Sequence, residues 1–151
     1  MAEPLIGSQT VTQIGFIVKD VEATSQKFAA FLGMEVPVAN WTDDYEQSQA
    51  LYMGKPCPAR AKLAFFHVGD HLDIELIQPD EQPSVWRDFL EENGEGIHHI
   101  AFEIKGMKDK QKVLADNDMK TVQTGEYTGG RYAYVDATAD LKVLIELLEN
   151  D

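Results

Sequence analysis

The chain of 151 residues is 44% hydrophobic, enough to bury one core and too short for several domains. Its 13 Lys and Arg stand against 26 Asp and Glu; a net charge of −13 argues against nucleic acid, which is bound by neutralising phosphates, and against an anionic membrane surface. The lone Cys57 excludes an internal disulfide, no run reaches membrane-spanning length, and residues 1–10 lack the basic and apolar regions of a secretion signal. A cytoplasmic protein acting on a small molecule is expected, with no nucleic-acid or membrane partner.

Residues 1–10 read as a flexible N-terminus, followed by a single domain over 11–151. A first unit at 11–79 opens on a strand over 13–18. A helix over 21–32 follows, with Asp20 as N-cap, Gly33 as its stop, and Val21, Thr24, Phe28 and Phe31 or Leu32 as its apolar stripe. A polar stretch over 38–50 leads to a strand at 51–53 and a Pro-bearing loop at 54–58. Residues 61–68 and 72–77 alternate as a hairpin about Gly69-Asp70. A linker helix within 80–95 carries Pro83 near its start and Trp86, Phe89 and Leu90 on its apolar face. The second unit, 96–149, repeats the order: a strand over 97–104, a helix over 108–116, and strands at 120–124, 131–136 and 141–148. Strand, helix and three strands, given twice, imply an α+β fold built by duplication.

Polar residues inside these strands carry the chemistry. Glu75 sits in Leu72-Asp73-Ile74-Glu75-Leu76-Ile77, and Glu146 in Val143-Leu144-Ile145-Glu146-Leu147-Leu148. A carboxylate among Ile and Leu is costly to bury without a partner, and a metal ion is one such partner. The string Gly96-Ile97-His98-His99-Ile100-Ala101-Phe102 places a histidine pair at the start of the second unit's first strand, where Gln13 stands in the first. Gln13, Glu75, His99 and Glu146 thus form a candidate metal-ligand set, one from the first and last strand of each unit. By strand alternation His98 falls on the side away from the site, while Lys62, Ala64 and Phe66, and likewise Tyr132 and Tyr134, face it. Lys62, Phe66, Tyr132 and Tyr134 are therefore the candidate substrate-binding residues.

The strings Gly94-Glu95-Gly96-Ile97-His98-His99-Ile100-Ala101-Phe102-Glu103, Val68-Gly69-Asp70 with Ile74-Glu75-Leu76, and Val143-Leu144-Ile145-Glu146-Leu147 resemble the vicinal oxygen chelate superfamily. Within it they are most similar to methylmalonyl-CoA epimerase-like proteins. The resemblance implies two tandem βαβββ modules forming a cupped mixed sheet around one divalent ion, with His99 as the ligand of the histidine pair and a homodimer as the default assembly. Epimerases of this type usually carry His where this chain has Gln13. The set Gln, Glu, His, Glu resembles instead that of eukaryotic-type glyoxalase I, whose glutathione-holding arginine falls here at Ile17.

Three oxygen donors and one imidazole suit Co²⁺, Ni²⁺, Zn²⁺ or Mn²⁺. Such an ion chelates vicinal oxygens and stabilises charge developing on a carbonyl. Glu146 is the candidate base for the proton α to a carbonyl or thioester, with Glu75 as its opposite-face partner. The leading expectation is a metal-dependent, epimerase-like isomerase. The alternatives are a glyoxalase I-type lyase on a thiol hemithioacetal and a non-catalytic binder of the bleomycin-resistance type. Ring-cleaving dioxygenase chemistry, which favours two His and one carboxylate, is disfavoured by Gln13.

Overall fold

The computed structural model describes residues 4–151. Among them ten strands form one mixed sheet that curls into a half-barrel, with five helices against it. The first strand, β1 (Gln13–Ile17), leads into α1 (Val21–Leu32), whose N-cap is Asp20 and whose stop is Gly33 in the left-handed conformation. The buried stripe of α1 is Val21, Ser25 and Ala29, with Phe28 and Leu32 packed beside it, whereas Phe31 is 84% exposed. Of the expected stripe, Val21, Phe28 and Leu32 face the core, and of the pair Phe31 or Leu32 it is Leu32 that packs.

Two short strands and a helical turn follow: β2 (Asn40–Trp41), α2 (Tyr45–Ser48) and β3 (Leu51–Tyr52), then β4 (Lys55–Pro56). The long hairpin is β5 (Ala61–Val68) and β6 (Leu72–Pro79). After α3 (Val85–Asn93) come β7 (Gly96–Glu103), α4 (Met107–Asp116), β8 (Lys120–Tyr127) and β9 (Gly130–Asp136). A last helical turn, α5 (Thr138–Leu141), precedes β10 (Leu144–Asn150). The final strand therefore starts three residues later than the sequence pattern suggests, and Leu141 is exposed.

The sheet order is β2-β5-β6-β1-β7-β10-β9-β8-β3-β4. Each half places its first strand beside its last in parallel, β1 with β6 and β7 with β10, and β1 meets β7 antiparallel at the centre. These four central strands carry the four candidate ligands. The chain from β2 to β3 runs from one sheet edge to the other, because Asn40 and Trp41 pair with β5 while Leu51 and Tyr52 pair with β8. Residues 51–53, expected as a strand of the first unit, thus belong to the far edge of the second. Tyr52 anchors that crossing by donating its hydroxyl to the Asp88 carboxylate of α3, a contact that pushes the phenol up to about 12.

Helix α1 covers the outer face of the first half, burying Val18, Val21, Ala29, Ala64, Phe66 and Leu76 together. Helix α4 does the same for the second half over Ala133, Val135, Ile145 and Leu147. The inner face cannot be filled this way, because it carries Glu75, His99 and Glu146. Instead α3 closes one end of the cup with Val85 and Trp86 against Ile17, Ile77 and Tyr134, and leaves the rest open. No helix of the described residues is long and apolar enough to cross a membrane.

Candidate metal centre

Gly15 is the pivot of the site. On β1 it pairs with Glu75 on one side and with His99 on the other. A Cβ at Gly15 would stand 2.1 Å from Cε1, 2.5 Å from Nδ1 and 2.6 Å from Nε2 of His99, so the imidazole lies in space that only glycine leaves. From this position His99 Nε2 sits 3.1 Å from Glu146 Oε1 and 3.4 Å from Glu75 Oε1. Ligand atoms of the three residues all lie within 4.8 Å of one another.

All three side chains are removed from water: His99 is 0%, Glu146 5% and Glu75 6% exposed. Yet Glu75 Oε1, Glu146 Oε1 and His99 Nε2 have no aligned hydrogen-bond partner, and neither does Gln13 Oε1, which lines the same cup. Buried polar atoms without partners are expensive in a protein interior, and the convergence of the Glu75, His99 and Glu146 atoms is what a cation would satisfy. The chemistry of the converging Glu75, His99 and Glu146 atoms therefore fits a divalent metal, with Gln13 in the lining of the same cup as a candidate fourth donor.

Electrostatics agree with that fit. Burial pulls the His99 pKa down, but the charges of Glu146 and Glu75 outweigh it and raise the ring to about 9. Without metal, then, the neighbouring carboxylates favour a proton on His99 at neutral pH. Burial pushes Glu75 up, with His99 opposing and Glu146 adding to the rise.

His98 is not where strand alternation placed it. Between β1 and β7 the register passes from Gly15↔His99 to Phe16↔Ile97, so His98 is the extra residue of a bulge. Its ring is buried between Phe89 of α3 and Tyr134, and its Nδ1 lies 2.9 Å from His99 Nδ1. One of these nitrogens must donate. For His99 to offer Nε2 to a metal, its Nδ1 carries the proton and His98 Nδ1 accepts it, which requires a neutral His98. Burial, reinforced by His99, holds His98 well below the ordinary histidine range. Reading the histidine pair as one ligand and one bystander thus missed the group that orients the ligand; only the bulge reveals it.

The cup above the floor has a volume of about 440 Å³, the size of a small-molecule site. Tyr132 and Tyr134 line it, as expected. Tyr134 accepts a hydrogen bond from Trp86 Nε1 at 3.0 Å, and Tyr132 accepts one from Gln123 Nε2 at 3.1 Å. Gln123 in turn caps α3, its Oε1 accepting from Val85 N–H at 3.0 Å.

Lys62 and Phe66 do not reach the cup. The turn of the β5–β6 hairpin holds three residues, since Val68 pairs with Leu72, and this sets Phe65, not Phe66, opposite Glu75. A one-residue change of register sends every side chain to the other face. Phe66 accordingly packs on Phe28 under α1, Lys62 pairs with Glu22 of α1, and Leu63 and Phe65 line the cup instead.

Residues 12–135 match the sequence profile of the glyoxalase/bleomycin resistance protein/dioxygenase superfamily. The chain belongs to that superfamily. Among curated proteins, this superfamily member is 30% identical over 93 residues to the uncharacterized protein YqjC of Bacillus subtilis (strain 168); the match covers 60% of this chain and 66% of that protein. Among solved structures, methylmalonyl-CoA epimerase from Mycobacterium tuberculosis superposes with a TM-score of 0.68 at 23% identity, covering 100% of this chain and 93% of its own. The Streptomyces coelicolor methylmalonyl-CoA epimerase, solved with 2-nitronate-propionyl-CoA, gives 0.63 at 22% identity, covering 93% and 96%. At these identities the structural likeness establishes the shared vicinal oxygen chelate fold.

Proposed function

We propose that this chain is a metal-dependent isomerase that removes and returns a proton α to a carbonyl or thioester, in the manner of methylmalonyl-CoA epimerase. The observation that carries the reading is the convergence of unpartnered Glu75, His99 and Glu146 atoms on the floor of an open cup, with the Gln13 amide oxygen beside them. Gln13, Glu75, His99 and Glu146 would hold the divalent ion, of the Co²⁺, Ni²⁺, Zn²⁺ or Mn²⁺ kind. Bound there, it supplies Lewis-acid stabilisation of negative charge on the carbonyl oxygen.

The chain's own residues do the proton chemistry. Glu146 takes the α-proton; the C–H electron pair moves into the carbonyl system. Glu75, on the other side of the reacting carbon, passes a proton from solvent to the opposite face. The products are the inverted carbon, a protonated Glu146 and an ionised Glu75, and solvent exchange restores the starting state. His98 keeps the His99 ring in place throughout. Trp86 and Gln123 hold the two tyrosines against the substrate.

The donor set also favours a second reading, a glyoxalase I-type lyase. Ile17 opposes it: the position that would supply a glutathione-binding arginine is a fully buried isoleucine. A purely binding protein of the bleomycin-resistance type has no use for four unpartnered donors at its floor.

The test is solvent exchange. Metal-reconstituted protein in D₂O is mixed with methylmalonyl-CoA, an α-hydroxyketone or a methylglyoxal–thiol adduct, and α-proton loss is followed by NMR. Exchange that depends on metal and disappears in Glu146→Gln supports the isomerase; thioester formation from the adduct points to the lyase. No exchange above the metal-free blank with any substrate sinks the reading.

A further inference from the structure

The walls of the cup carry a charge pattern that the proton chemistry leaves unused. Its lining includes the half-buried Asp43 and the exposed Glu103 together with the rings of Trp41, Phe65 and Tyr127, and among the described residues no lysine or arginine lines it. Glu126 also lines the cup, but it is paired with Arg131 at 3.4 Å. That arginine is spent, since it also bridges Glu149 and Asp151 at 3.2 and 2.7 Å. Lys62 is tied to Glu22 on the outer face. Asp43 and Glu103 have no ion-pair partner among the described residues.

That the cup takes a ligand does not depend on these carboxylates. Glu75 and Glu146, more than nine-tenths buried, aim unpartnered oxygens into it. A divalent ion there balances the two floor carboxylates and leaves the walls negative. An anionic group on the substrate body would face Asp43 and Glu103 with no cation to offset them, inside a chain of net charge −13. Hydroxyl or ammonium groups, by contrast, would donate to those carboxylates. The aromatic faces suit the C–H surface of a polyol or a cation.

We infer that the substrate body is an uncharged or cationic, donor-rich α-oxygenated carbonyl compound, of the ketose or amino-ketone class, and that the cup rejects phosphate- and carboxylate-bearing analogues. The inference rests on the proposed function for the two chelating oxygens at the floor. It keeps that proton chemistry and makes an acyl-CoA a poor substrate for it.

Three ligands separate the cases: D-xylulose, 1-amino-1-deoxy-D-fructose and D-xylulose 5-phosphate, titrated into Mn²⁺-reconstituted protein. Tryptophan fluorescence reads entry into the cup, where Trp41 and Trp86 lie. Water-proton relaxation reads displacement of solvent from the manganese. Either neutral or cationic ligand is expected to bind at least about ten-fold more tightly than the phosphate. The Asp43→Asn/Glu103→Gln double variant should narrow that gap by improving the phosphate. Which of the first two binds better tells hydroxyl recognition from ammonium recognition. Fluorescence that follows this order while relaxation stays silent keeps the charge selection and removes the chelation reading. Phosphate binding as tightly as xylulose, with relaxation responding, overturns the charge selection and keeps chelation. Silence in both signals overturns the proposal.

Discussion

Gly15→Ala is the smallest change that tests the geometry of the floor. The added methyl would stand 2.1 Å from Cε1 of His99, against an ordinary contact of at least 3.4 Å, so the ring must retreat by about 1.3 Å or β1 must shift. The ring cannot retreat freely, because it is fully buried with Nδ1 on His98 and Nε2 between two carboxylates. A ligand misplaced by about 1 Å loses on the order of 100-fold in function, and overpacking costs roughly 1–3 kcal/mol of stability. Competition against a chromophoric chelator should show Co²⁺ affinity down by about 100-fold, with a folded circular dichroism spectrum and a modestly lower Tm. Wild-type metal affinity in Gly15→Ala would refute the placement of His99 over the glycine.

Further outcomes follow from the same contacts. His98→Phe keeps the packing against Phe89 and Tyr134 but removes the acceptor for His99 Nδ1, and should weaken metal binding by about 10–100-fold; the ¹⁵N chemical shifts of His99 should show the lost tautomer preference. Folding raises the His99 pKa to about 9, above the roughly 6.5 of an unfolded histidine. The metal-free protein is therefore most stable below about pH 6.5 and loses that contribution as pH rises through about 9, which chemical denaturation across the window will read. Metal must displace the same proton, so apparent affinity should climb up to about ten-fold per pH unit over that range. Tyr134→Phe leaves the buried Trp86 Nε1–H without its acceptor and should cost roughly 1–3 kcal/mol in urea melts while metal content stays unchanged.

Much of this was legible before the structure. Asp20 and Gly33 bounded α1 to the residue, since a side-chain cap and a left-handed glycine are local signals. The glutamate strands were legible because a carboxylate in an apolar run has few physical excuses. Errors arose where one residue of register decides a face. A three-residue turn at 69–71, read as two, moved Lys62 and Phe66 from the cup to the outer side. A bulge at His98 brought into the site a side chain that alternation had sent away. Neither leaves a trace in hydrophobic periodicity. The crossing of 42–50 from β2 to the far sheet edge was equally hidden, since two-residue strands carry no pattern of their own. Gly15, one small residue in the first strand, acquires its role once its ladder partners are known.

The most direct test of the account is metal stoichiometry. Purified protein, reconstituted with Co²⁺ or Zn²⁺ and dialysed, is compared by elemental analysis with His99→Ala and Glu146→Gln. The account predicts about one ion per chain in the wild type, lost in His99→Ala and weakened in Glu146→Gln. A wild type that emerges metal-free, or variants that hold metal as well as it does, would contradict the claim that these buried, unpartnered atoms form a metal centre.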